Sequence, residues 1–149
     1  MNIAKKIVVR MLLPLVGASL LMGATNVVAA DAPAHKLVIQ VSTDDPRTQK
    51  IALNNAVNLQ KLYGMDNIAI EIVAYGPGLG MLTTKSKQAT RVKSLALQNI
   101  TFSACGNTMK KVAKKTGKKP KLVEGVGVVK AGVARIMALQ EEGYAYIRP

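Results

Sequence analysis

Ile100-Thr-Phe-Ser-Ala-Cys105-Gly106-Asn107-Thr108-Met109 is an apolar, β-branched run that breaks at a cysteine and a glycine, then continues into residues suited to a helix start. Residues 100–104 read as a buried strand. Asn107 or Thr108 can cap the helix that follows, which extends to about residue 115. A strand therefore turns into a helix here, and Cys105 stands at the turn.

The same alternation repeats on both sides. Residues 36–42 read as a strand, after which Asp45 can cap a helix and Pro46 can occupy its first turn. Ala52, Ala56, Leu59 and Tyr63 recur at helical spacing, and Gly64 marks the stop. Residues 68–75 form a second apolar run, broken by Glu71, and Gly76-Pro-Gly78-Leu-Gly80 leaves it as a loop. A helix over 86–98 precedes the quoted strand. A lysine-rich connection over 116–121, a strand over 126–130, a helix over 132–142 and a strand over 144–147 complete the chain. Strands alternating with helices predict a parallel sheet with helices on both faces. Ligands of such sheets bind beyond the carboxyl ends of the strands, where residues 43–47, 75–82 and 104–108 are expected to meet.

Residues 1–30 have the parts of a secretory signal: Lys5, Lys6 and Arg10, then apolar residues 11–24, then Val28-Ala29-Ala30. Cleavage is expected after Ala30, with Ala32 as the alternative, giving a periplasmic or secreted protein of one domain. The apolar stretch is shorter than the roughly 20 residues a membrane span needs, so no stable membrane anchor is expected. No cysteine follows it, which excludes lipoprotein acylation. Removing Lys5, Lys6 and Arg10 from the 21 basic residues leaves 18 against 8 acidic ones, a formal charge of +10.

Cys105 is the only cysteine, and an exported lone thiol cannot form an internal disulfide. Three readings remain open: a reactive thiol, a buried small hydrophobe, or an intermolecular disulfide. A cysteine just ahead of a helix feels the positive end of the helix dipole, which favours thiolate. Gly106 permits close approach of an anion or sulfur species, and Lys110 and Lys111 are candidate sources of further positive charge.

Other chemistries are set aside. His35 is the only histidine and lies at the start of the mature chain, so a Cys-His hydrolase lacks its base. One Cys and one remote His make no ordinary zinc site, and no metal or cofactor is expected. Gly76, Gly78 and Gly80 have the wrong spacing for a dinucleotide loop, because Met81 stands where the last glycine belongs. Asn54, Asn55 and Asn58 are poor helix formers, and at least one is expected to bond a neighbouring loop. Lysines at 110, 111, 114 and 115 fall on one helix face. Export and the lack of interleaved aromatics argue against nucleic acid as the partner.

Ala52-Leu-Asn-Asn55-Ala-Val-Asn58, Ile72-Val-Ala-Tyr-Gly76-Pro-Gly78, Phe102-Ser-Ala-Cys105-Gly106-Asn107-Thr108-Met109, Val129-Lys-Ala-Gly-Val133 and the terminal Gly143 to Pro149 together resemble the DsrE/DsrF-like family. This sulfur-relay group includes sulfurtransferase subunits of transfer-RNA thiolation, and the resemblance spans the mature chain. It implies a three-layer α/β/α fold with a parallel five-stranded sheet, and homo-oligomers, commonly trimers or pairs of trimers. It also implies that Cys105 carries sulfane sulfur as a persulfide between donor and acceptor proteins or small sulfur compounds, a transfer governed by access and leaving-group pKa. Gly106, Asn107, Thr108, Gly76, Gly78 and Asn55 are the supporting residues expected around it. The export signal departs from the relay members, which are cytoplasmic, so their partners do not carry over. Two alternatives stand beside the carrier: an oligomeric binding module that uses its basic face for an anionic partner, and a thiol redox sensor needing a partner thiol.

Overall fold

The structure, a computed structural model, describes residues 32–149; the export signal read over residues 1–30 lies outside the described residues. Five strands, β1 (His35–Val41), β2 (Ile68–Ala74), β3 (Ile100–Cys105), β4 (Val126–Val129) and β5 (Ala145–Ile147), form one sheet in the order β4-β3-β2-β1-β5. Every pairing is parallel. Four α-helices connect them: α1 (Pro46–Tyr63), α2 (Ala89–Ala96), α3 (Gly106–Thr116) and α4 (Gly132–Glu141).

The strands exist because their apolar residues bury both faces. Leu37, Ile39 and Val41 of β1, Ile70, Ile72 and Ala74 of β2, and Ile100, Phe102 and Ala104 of β3 meet α1, α2 and α3 in one core. Val38 and Val73 point the other way, against Ile136 and Leu139 of α4. Full burial of side chains such as Phe102, Leu53 and Ile72 stabilises the fold by roughly 1.5–3 kcal/mol each. Three helices thus cover one face and a single helix covers the other. The asymmetry follows from connectivity, since three right-handed crossovers advance in one direction and the last returns past β1.

Local signals act as the sequence dictates at α1. The Asp45 carboxylate accepts from the Thr48 backbone N–H and hydroxyl, both at 2.7 Å, Pro46 opens the helix, and Gly64 closes it at φ 86°. Two expectations need correction. Residues 76–82 are a 3-10 helix, Gly76–Leu82, rather than an open loop. The third helix starts at Gly106, so Cys105 itself occupies the cap position assigned to Asn107 or Thr108.

Candidate functional site

Cys105 is the last residue of β3, and the pleat turns its side chain toward the face covered by α4. That face is built around polar groups as well as apolar ones. Glu71, 4% exposed, accepts from Ser103 Oγ at 2.6 Å and from Arg135 Nε and Nη2 at 3.0 and 2.7 Å. The acid that interrupts β2 is therefore paired with an arginine of α4 and hydrogen-bonded by a serine two residues before the cysteine.

The sulfur lies where two helices begin. α3 starts immediately after it, and α4 starts opposite, with the Gly132 backbone N–H donating to Cys105 Sγ at 3.2 Å. Burial of the thiol pushes its pKa up. Hydrogen bonds from the backbone of Thr108 and of Gly132, from the Thr108 hydroxyl and from the backbone of Asn107 outweigh it, and hold the thiol below its ordinary value. The cause is amide hydrogen bonding rather than the charges of Lys110 and Lys111, which stand exposed on α3. Cys105 is only 5% exposed.

The residues expected around it divide into two groups. Thr108 joins the site: its Oγ1 accepts from the Gly76 backbone N–H at 3.0 Å while its hydroxyl bonds the sulfur. Asn107 contributes through its backbone, its side chain being exposed. Gly106 is a close-approach residue, but a Cβ there meets the Val129 carbonyl oxygen at 3.0 Å, so its neighbour is the backbone of β4. Gly78 belongs elsewhere. A Cβ on it falls 2.2 Å from the Val41 carbonyl oxygen, so this glycine lets the 3-10 helix lie on the end of β1. Asn55 lies on α1, whose buried residues pack in the core on the opposite sheet face. Among the three asparagines, Asn54 finds a partner, accepting at 2.7 Å from Arg91 of α2 rather than from a loop.

Of the three segments expected to converge, 75–82 meets 104–108 through the bond from the Gly76 N–H to Thr108 and meets 43–47 in a depression lined by Asp44, Pro46 and Gly80. At the sulfur itself the start of α4 joins 104–108. Gly132 was not anticipated at the site, although like Gly106 it opens a helix after a strand, with Lys130 and Ala131 between it and the end of β4. A Cβ on Gly132 meets Tyr75 Cδ1 at 3.1 Å and Cys105 Cβ at 3.4 Å.

These features define a parallel α/β protein with one cysteine at the carboxyl edge of its sheet, whose thiolate form is favoured by hydrogen-bond donors. The DsrE/DsrF-like family matches residues 35–149, and the chain belongs to that family, which is associated with sulfur relay. The solved structure of MTH1491, a protein of unknown function from Methanobacterium thermoautotrophicum, aligns with a TM-score of 0.70 at 34% identity, covering 77% of this chain and 99% of that one. No curated protein matches the chain. No helix among the described residues is long and apolar enough to cross a membrane.

Proposed function

We propose that the chain is an exported sulfur carrier in which Cys105 holds sulfane sulfur as a persulfide. The observation that carries the reading is the meeting of two helix starts on one sulfur, where the Gly132 N–H donates at 3.2 Å and the Thr108 and Asn107 amides of α3 favour the thiolate. Such donors stabilise a thiolate, the form that attacks sulfur. In the loading step, the thiolate forms a bond to the outer sulfur of a donor persulfide, the donor S–S bond breaks, and the donor departs as its thiolate. Electrons are conserved and no oxidant enters. Unloading is the same exchange run toward an acceptor thiolate.

Cys105 is 5% exposed, so the rim around the sulfur opens before a donor reaches it. Export after cleavage near Ala30 places this chemistry in the periplasm or outside the cell. Assembly into trimers or pairs of trimers is part of the reading; Val133 and Met137, one turn apart on α4 and both more than half exposed, supply an apolar surface for it.

Whole-protein mass spectrometry after incubation with polysulfide tests the reading. A gain of one sulfur atom that is reversed by a thiol reductant and absent in Cys105→Ser is expected. An unmodified chain whose Cys105 still reacts with iodoacetamide sinks it. The mass of the mature protein recovered from cells tests export.

A further inference from the structure

β4 is an edge strand, paired only with β3. Edge strands are ordinarily guarded by charges, proline or bulges, because their outward N–H and C=O groups invite another chain. Within Val126-Gly-Val-Val129 there is no charge and no proline; Lys130 follows it as Arg148 follows β5 at the opposite edge, but β5 alone is then closed by a proline, Pro149. Val128 is 58% exposed.

Beside this strand, between it and α3, lies a groove of about 350 Å³. Gly106, Met109, Ala113 and Val128 form its walls, and Lys110 and Lys119 stand at it as the charged groups. Neither lysine makes an ion pair among the described residues, where the pairs are Lys93 with Glu124 and Arg135 with Glu71 and Glu142. The groove opens on the α3 side of the sheet, whereas the Cys105 sulfur faces α4, so the two sites are separate.

We propose that the groove and the open edge of β4 dock an extended, acidic segment of a partner protein, added to the sheet as a sixth strand. Main-chain bonds to β4 supply affinity, apolar side chains settle against Val128 and Met109, and carboxylates meet Lys110 and Lys119. A second copy of the chain is a poor occupant. Its acids are few, and Asp45, Glu71, Glu124 and Glu142 are already engaged. Two copies joined edge to edge through β4 also bring their lysines together, and like charges across an interface oppose association.

A fluorescein-labelled synthetic peptide of about eight residues, alternating valine and glutamate to match one strand, is titrated into the intact mature protein and followed by anisotropy. Binding is expected, weakened at least about tenfold in the Lys110→Glu/Lys119→Glu double variant, whose changes are both on exposed side chains. N-methylation of alternate peptide amides keeps the charge but removes strand pairing, and is expected to abolish binding. Amide exchange at residues 126–129 should slow when the unmodified peptide binds. Equal binding of the N-methylated peptide, or unchanged exchange in β4, overturns the proposal in favour of unspecific charge attraction. Dissociation of a wild-type oligomer by Val128→Lys overturns it in favour of a second copy. Cys105→Ser should bind the peptide like wild type, so failure here is distinguishable from failure of the sulfur chemistry.

Discussion

The Gly132 backbone N–H donates to the sulfur of Cys105 at 3.2 Å, across 27 residues of chain. This bond ties the start of α4 to the end of β3 and makes the sulfur a meeting point of two helix N-termini. Each helix start leaves N–H groups without partners inside the helix, and here a sulfur takes up some of them. Gly132 permits the approach because any side chain meets Tyr75 and Cys105 at once.

Gly132→Ala should therefore act on the sulfur through geometry. The added methyl lies 3.1 Å from Tyr75 Cδ1 and 3.4 Å from Cys105 Cβ, so these side chains and the first turn of α4 are pushed apart by a few tenths of an ångström, which lengthens the N–H to sulfur bond. The inflection in the pH profile of Cys105 alkylation should move up toward that of a free thiol, with a stability loss of about 1 kcal/mol from the crowding. An unmoved inflection means that the Gly132 bond has no part in stabilising the thiolate.

The depressed thiol pKa also makes a signed prediction for stability. A group whose pKa is lower folded than unfolded contributes stability fully above its unfolded value, about 8.5 for a thiol, and loses it as pH falls through the folded value. Urea unfolding of wild type and Cys105→Ala across that window should show the wild-type advantage growing with pH. Thr108→Val removes the hydroxyl donor to the sulfur and should shrink the pH-dependent part. A difference independent of pH contradicts the hydrogen-bonding account.

Arg135→Met tests the polar layer under α4. It leaves the Glu71 carboxylate with Ser103 as its remaining side-chain donor, at 2.6 Å. Orphaning a buried carboxylate costs about 3–5 kcal/mol, and the lower end applies because the Arg135 side chain is 34% exposed. Glu71→Leu combined with Arg135→Met should recover much of that loss in urea unfolding, since no charge is then stranded. A double variant less stable than Arg135→Met alone contradicts this.

The alternation of elements was legible because each strand is apolar enough to be read without its neighbours, and Asp45, Pro46 and Gly64 mark the ends of α1 by local chemistry alone. The position of Cys105 at a strand end was equally local. What could not be read was which distant segment completes the site. Gly132 reaches the sulfur because β4 lies beside β3 and α4 begins at its end, a relation fixed by tertiary pairing. Glu71 carried a partial signal: a carboxylate inside a buried strand demands a partner, but nothing in one sequence names Arg135, 64 residues away, as that partner. Gly78 misled for a related reason, since a glycine after a strand reads alike whether ligand or backbone approaches it.

Gly78 and Gly80 separate those two meanings of glycine. A Cβ at position 78 falls 2.2 Å from the Val41 carbonyl oxygen and 2.9 Å from the Ser42 nitrogen. Both are backbone atoms at the end of β1, so the 3-10 helix must move bodily away from the sheet. Gly78→Ala should destabilise by about 3 kcal/mol, the upper end for overpacking, because backbone cannot rotate aside as a side chain can. A Cβ at position 80 meets nothing within 4 Å and its φ is not in the left-handed region. Gly80→Ala should therefore stabilise by about 0.4–1 kcal/mol through the unfolded chain. Chemical unfolding of the two variants checks both signs, and Cys105 alkylation in Gly78→Ala shows whether the strain reaches the sulfur. The route would run through Gly76, whose N–H holds the Thr108 hydroxyl at 3.0 Å, so a displaced 3-10 helix should loosen that hydroxyl and raise the thiol inflection together with the loss of stability.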